Sequence, residues 1–244
     1  MLRSAKSLHE YTIEASDGDI GKVSEFLFDD QFWTMRYLVL KTGRWLMERR
    51  VLIAPAALGQ PSWDTQRLPV KLTREQVEKS PNIDTDQPVS RQQEVALYAH
   101  YGWPNYWDIA VPLGSAPISV PQPAMEVGEL VDQGDSHLRS TQAVMGYYIQ
   151  ARDGDIGHVE DFIVDDDVWA IRYMVVDTRN WWPGKKVLVS PWWITEVIWG
   201  TSRVRVNMDR ETIKNSPPFD PTTCVNRSYE ERLHDYYGRP KYWQ

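Results

Sequence analysis

Apolar and polar positions along this chain alternate in runs too short for long helices, and each run ends at a turn residue. Tyr11–Ala15, Val23–Phe28, Met35–Leu40, Val51–Ile53, a short piece around Trp63 and Arg67–Val70 read as strands, rich in β-branched and aromatic residues. Asp17-Gly18 between the first two is a hairpin signal, because a two-residue loop of that kind favours φ > 0 at both positions. Asp29-Asp30 and Thr42-Gly43 mark further reversals, and Pro55 stops the strand before it. The pattern then changes to helix. Thr73 precedes Arg74-Glu75-Gln76 as an N-cap, Ser80-Pro81 closes that turn, and a second helix from Arg91 to Tyr101 stops at Gly102. Pro104, Tyr106 and Trp107 follow, a stiff and bulky tail suited to clamping against a β-module.

The whole pattern is written twice. Leu2-Arg3-Ser4 returns as Leu138-Arg139-Ser140, and every matched pair down to Tyr106-Trp107 and Tyr242-Trp243 lies 136 residues apart. The 106 aligned positions contain 42 identities, far above chance, so this is a duplicated domain rather than a short-period solenoid. Asp153-Gly154-Asp155-Ile156-Gly157, Ile171–Val176, Val187–Val189 before Pro191, and the helix from Arg227 to Tyr237 before Gly238 restate the first copy's elements. The division is a first domain over 1–110, a linker over 111–136 and a second domain over 137–244. The linker's four prolines from Pro112 to Pro123 favour an extended spacer, and an acidic stretch follows.

The run Leu-Arg-Ser, Asp-Gly-Asp-Ile-Gly-x-Val, Phe-x-x-Asp-Asp, Arg-Tyr-x-Val and Val-Leu-x-x-Pro resembles the PRC-barrel family, over about residues 2–80 and 138–216. That family is named for the cytoplasmic barrel of the photosynthetic reaction centre H subunit and also occurs at the C-terminus of a ribosome maturation factor. The aromatic tails look like an extension carried by some bacterial members. The resemblance implies a mainly β chain of two tandem six-stranded barrels, each with a short helix and the helical, aromatic extension. It also implies an adaptor that positions a protein partner, such as an electron-transport or membrane-associated complex, rather than an enzyme.

Composition changes this picture little. A formal charge of −7 leaves neither copy the basic excess that supplies most nucleic-acid affinity. The single cysteine, Cys224, has no intrachain partner and matches Pro88 in the first copy, which points to a reducing cytoplasm and to no metal or disulfide framework. No stretch approaches the ~20 apolar residues of a membrane span. No glycine-rich phosphate loop is present, so neither a cofactor nor a catalytic residue is expected. The carboxylates Asp17, Asp19, Asp29, Asp30, Asp153, Asp155 and Asp165 to Asp167 are the dense oxygen sets a hard cation prefers, but they sit where turns need them and lack an EF-hand ladder. A metal-binding regulator built on them is therefore a lesser reading. So is RNA or ribosome association through Arg49, Arg50, Lys185 and Lys186. The five histidines match non-histidines in the other copy, which reads as surface or incidental packing.

The tryptophans carry the functional expectation. Trp181, Trp182, Trp192 and Trp193 belong to the second copy, where the first has Trp45, Leu46, Ala56 and Ala57. Successive strand residues face opposite sides, so one of each pair is expected to enter the core and the other to cover something. Interfaces favour Trp and Tyr. With Tyr106, Trp107, Tyr242 and Trp243 they form the predicted interaction surface, for a protein partner and for face-to-face packing of the copies as a pseudo-dimer.

Overall fold

The computed structural model describes residues 1–83, 89–107, 137–178 and 185–243. The linker expected over 111–136 lies outside them, as do Trp181 and Trp182. In chain order the elements are β1 (Leu2–Ser4), α1 (Ala5–Leu8), β2 (Thr12–Ala15), β3 (Gly18–Asp29), β4 (Thr34–Thr42), β5 (Arg50–Ile53), β6 (Arg67–Pro69), α2 (Arg74–Glu78) and α3 (Arg91–Tyr101). The second copy contributes β7 (Leu138–Ser140), α4 (Thr141–Val144), β8 (Tyr148–Ala151), β9 (Gly154–Asp165), β10 (Ala170–Asp177), β11 (Lys186–Val189), β12 (Ile194–Ile198), β13 (Arg203–Val206), α5 (Arg210–Lys214) and α6 (Arg227–Tyr237).

The chain is mainly β, with short helices, and divides into two compact units whose membership differs from the repeat boundary. One unit holds residues 139–244 together with Met1–His9 and Trp33–Met35; the other holds Glu10–Phe32 and Arg36–Leu138. We call them the second-copy and first-copy units after the repeat that supplies most of each.

In the second-copy unit the strand order is β12-β13-β8-β9-β10, with β11 on the far side of β10. The sheet is mixed, because β13 runs parallel to β8 while the other ladders are antiparallel. β9 is long enough for two neighbours on one edge: Gly154 to His158 pair with β8, and Ile163 to Asp165 pair with β1. Trp33–Met35 add two further bonds, Met35 N–H to Trp169 O and Ile171 N–H to Trp33 O, both 2.7 Å. The expected closed six-stranded barrel is not what the ladders make: the sheet stays open, with β11 and β12 at opposite ends of the order. Pro191 opens a 3-10 turn over Pro191–Trp193 that separates β11 from β12 along the chain.

The first-copy unit repeats the plan as β4-β3-β2-β6, with β5 on β4 and β6 parallel to β2. It has no strand matching β12 among the described residues. There Leu58-Gly59-Gln60-Pro61-Ser62 replaces Ile194-Thr195-Glu196-Val197-Ile198, and glycine and proline reduce the strand to single bridges at Leu58 and Ser62. The core of this unit gathers Leu27, Tyr37, Val39, Leu52, Leu97 and Tyr98.

The helices end where the sequence predicts. Thr73 and Ser90 form capping boxes with Gln76 and Gln93, and Gly102 and Gly238 take the left-handed C-cap at φ +67° and +60°. The Asp-Gly turns differ from expectation. Ala15 pairs with Gly18 and Ala151 with Gly154, so the loop residues are Ser16-Asp17 and Arg152-Asp153; only the glycines have positive φ, +133° and +140°. The turn shifts by one residue because the aspartate is needed elsewhere.

Candidate functional site

The repeated aspartates hold each unit to itself. Asp17 Oδ1 accepts the Arg74 N–H at the start of α2, and Asp153 Oδ1 accepts the Arg210 N–H at the start of α5, both at 2.8 Å. Asp19 pairs with Arg67 at 2.6 Å and Asp155 with Arg203 at 2.9 Å, tying the hairpin to the last strand of its own unit. Asp29 accepts the N–H groups of Gln31 and Phe32, then reaches Arg36 at 2.8 Å; Asp165 and Arg172 repeat the ion pair at 3.2 Å. Asp209, at the N-cap position of α5, makes no cap bond and pairs instead with Arg152 at 2.8 Å.

From Arg36 and Arg172 the contacts lead to a buried polar cluster at the aromatic tail. In the first-copy unit the Arg36 guanidinium lies 4.2 Å from the centre of the Tyr106 ring. Tyr106 and Tyr37 both donate to Glu94 Oε1, at 2.8 and 2.6 Å, while Arg91 pairs with Glu94 Oε2 at 2.7 Å. In the second-copy unit Arg172 lies 4.1 Å from the Tyr242 ring centre. Tyr242 and Tyr173 donate to Glu230 Oε1 at 2.7 and 2.9 Å, and Arg227 pairs with Oε2 at 3.0 Å. Desolvation first, then the neighbouring carboxylate, pushes the Tyr37, Tyr106 and Tyr173 hydroxyls well above their ordinary range, so they stay protonated and donate. Arg91 and Arg227 also stack 4.7 and 4.1 Å from the Trp107 and Trp243 rings. Each tail is thus fastened to its own unit by one carboxylate taking two tyrosines and an arginine.

Glu94, Glu230, Tyr37, Tyr173 and the arginines Arg36, Arg91, Arg172 and Arg227 were not among the residues expected to form a site. The available signal was Glu94 in line with Leu97 and Tyr98, a carboxylate at i on the apolar i, i+3, i+4 stripe, repeated as Glu230, Leu233 and His234.

His234 is an unequal member of the cluster, standing where the first copy has Tyr98. It is 2% exposed rather than incidental, among the rings of Tyr173, Trp193, Tyr242 and Trp243. Its Nδ1 is 2.8 Å from the Pro240 carbonyl oxygen, which accepts, and its Nε2 is 2.9 Å from the Tyr173 hydroxyl. An Nδ1–H on Pro240 leaves Nε2 as acceptor in the neutral ring, and Tyr173 then shares one hydrogen between His234 and Glu230. Burial lowers the His234 pKa, outweighing the pull of Pro240 O and Glu230. The unfolded chain therefore binds a proton that the folded one resists, and stability falls as pH drops below about 6.5. Thermal melts between about pH 8 and pH 5 are expected to show this loss, and His234→Tyr is expected to flatten it. An unchanged slope in that variant would assign the titration elsewhere.

Burial divides the adjacent pair Trp192–Trp193 among the predicted interaction residues. Trp193 is 4% exposed, buried against His234 and Tyr237, whereas Trp192 is 63% exposed. The division of this pair into one inside and one outside arises on a 3-10 turn, not on a strand. Tyr106, Trp107, Tyr242 and Trp243 are half-buried in the clamps just described.

The basic pairs are also engaged. Arg49 donates to the carbonyls of Glu78, Ser80 and Pro81 after α2, and its counterpart Lys185 donates to those of Lys214 and Ser216 after α5. Lys186 pairs with Glu160 at 2.7 Å. Asp165, Asp166 and Asp167 bring carboxylate oxygens within 4.8 Å of one another, but they face protein cations: Arg3 and the Met1 ammonium on Asp166, that ammonium on Asp167, and Arg172 on Asp165. Cys224 is exposed and forms no disulfide. No family model and no curated protein compared with the chain matches it.

Proposed function

We propose that the protein is a non-enzymatic cytoplasmic scaffold of two PRC-type modules that docks on another protein, of the kind found in electron-transport or membrane-associated complexes. Trp192 carries this reading: a large ring 63% exposed, on a turn anchored by buried Trp193, with alanines at both matching positions of the first copy. A partner that reads this turn distinguishes the two copies. The shared carboxylates, arginines and tyrosines are taken up in holding each unit, which favours a structural role for them over metal or nucleic-acid binding. Among the described residues no helix is long and apolar enough to cross a membrane. PRC-barrel membership is part of the proposal and rests on the motifs of both copies. The pseudo-dimer expectation stands with it as a proposal.

The variant that tests the reading is Trp192→Ala, without its buried neighbour. Its stability is expected to stay within about 0.5 kcal/mol of wild type, as for an exposed substitution. Its retention of the partner from native-cell extract is expected to fall at least about tenfold, the effect of a hot-spot residue. Equal recovery of every bound protein by both baits, quantified side by side, would reject Trp192 as the docking residue.

A further inference from the structure

We propose that residues 1–9 pass between copies of this chain, so that the edge of β9 carrying Asp161, with Asp166 just past its end, is a docking surface for that segment of a second copy. In the structure described above this edge is filled from the same chain. Leu2, Arg3 and Ser4 pair with Asp165, Val164 and Ile163, and α1 follows onto β9. The fit is chemical as well as geometric. Arg3 pairs with the buried Asp166, the Ser4 hydroxyl donates to Asp161 Oδ2, and the Lys6 N–H reaches Asp161 Oδ1 at 2.9 Å. Asp161 is itself almost wholly buried under the segment, and desolvation raises its pKa.

Two features make the segment exchangeable. It ends at His9, and Glu10 already belongs to the first-copy unit, its N–H bonded to Val23 O at 3.0 Å; no spacer lies between. At that junction Glu10 has φ +66°, a conformation that strains a residue with a Cβ, and the matching residue in the second copy is Gly146 at φ +90°. A short strained hinge is the circumstance in which an element leaves its own chain for an identical site in another. The occupant is thus specified: Leu-Arg-Ser followed by α1, from a second copy of the same chain, bound through the same ladder and the same two carboxylates.

The test uses the full chain with Cys224→Ser and the paired substitutions Leu2→Cys and Asp165→Cys, which face one another in the ladder. Oxidation after dilute refolding is expected to give an intrachain bond and a monomer. Oxidation after concentrated refolding is expected to give disulfide-linked dimers, the dimer-to-monomer ratio rising about tenfold per tenfold increase in monomer. Monomer alone at every concentration overturns the proposal. The wild-type chain supplies the same test without cysteines: light scattering is expected to show a dimer fraction that Glu10→Gly lowers severalfold by relaxing the hinge. A fraction that Glu10→Gly leaves unchanged, or no dimer at all, also overturns it.

Discussion

Gly157→Ala is expected to cost about 3–5 kcal/mol and to lower the melting temperature by more than about 10 °C. Gly157 has φ +144°, and a Cβ built there would overlap the carbonyl oxygen of Asp177; Gly21 repeats this at φ +154° against Lys41 O. Both obstacles are backbone at the end of the neighbouring strand, so no side chain can swing aside. The register irregularity between Ile149 and Gln150 lies at this point, and the strand must bend there for β9 to serve β8 and then β1. Gly238→Ala is the control. It shares the left-handed backbone, at φ +60°, but nothing lies within 4 Å of its built Cβ, so it should cost only about 1 kcal/mol. Urea unfolding of the two variants reads the difference directly, and equal costs would mean that close approach contributes nothing.

Glu230→Ala is the second large effect, again about 3–5 kcal/mol, because removing one partner of a buried ionic cluster strands the rest. Tyr173 and Tyr242 would lose their shared acceptor, and Arg227 its ion pair. Glu230→Gln keeps an oxygen for the tyrosines and should recover about half of the loss. Tryptophan emission is expected to shift to the red in the alanine variant as Trp243 loses its seat beside Arg227 and His234. A mild effect of the alanine substitution, no larger than that of glutamine, would show that the tail is held by ring packing alone. The same pair of substitutions at Glu94 should behave alike, with Trp107 as the reporter.

Much of the fold was legible in the sequence because turn and cap residues act locally. Thr73 caps its helix and Gly102 and Gly238 end theirs as read, since each needs only its own neighbours. Asp17-Gly18 was misread by one residue because the Asp17 carboxylate is required at the Arg74 N–H, which lies far along the chain. The placement of Leu2-Arg3-Ser4 on β9 was not legible at all. Leu138-Arg139-Ser140 has the same residues, and identical segments give no sign of which unit each completes. His234 was set aside because Tyr98 replaces it, yet both side chains seat a polar ring against the tail; a residue can change while the place it fills does not. Trp192 and Trp193 separated as anticipated, but through the 3-10 turn opened by Pro191 rather than through strand alternation.

Amide hydrogen exchange of the tails measures most directly whether the repeated polar residues are there to hold shape. Trp103 N–H bonds to Tyr98 O and Arg239 N–H to His234 O, both at 3.0 Å, where each tail leaves its helix. In the wild-type chain these amides are expected to exchange slowly, and in Glu94→Gln and Glu230→Gln the matching tail alone is expected to lose protection while the sheet amides keep theirs. Tails that exchange at the same rate with and without the carboxylates would contradict the clamp, and with it the division between residues that build these units and a tryptophan that meets a partner.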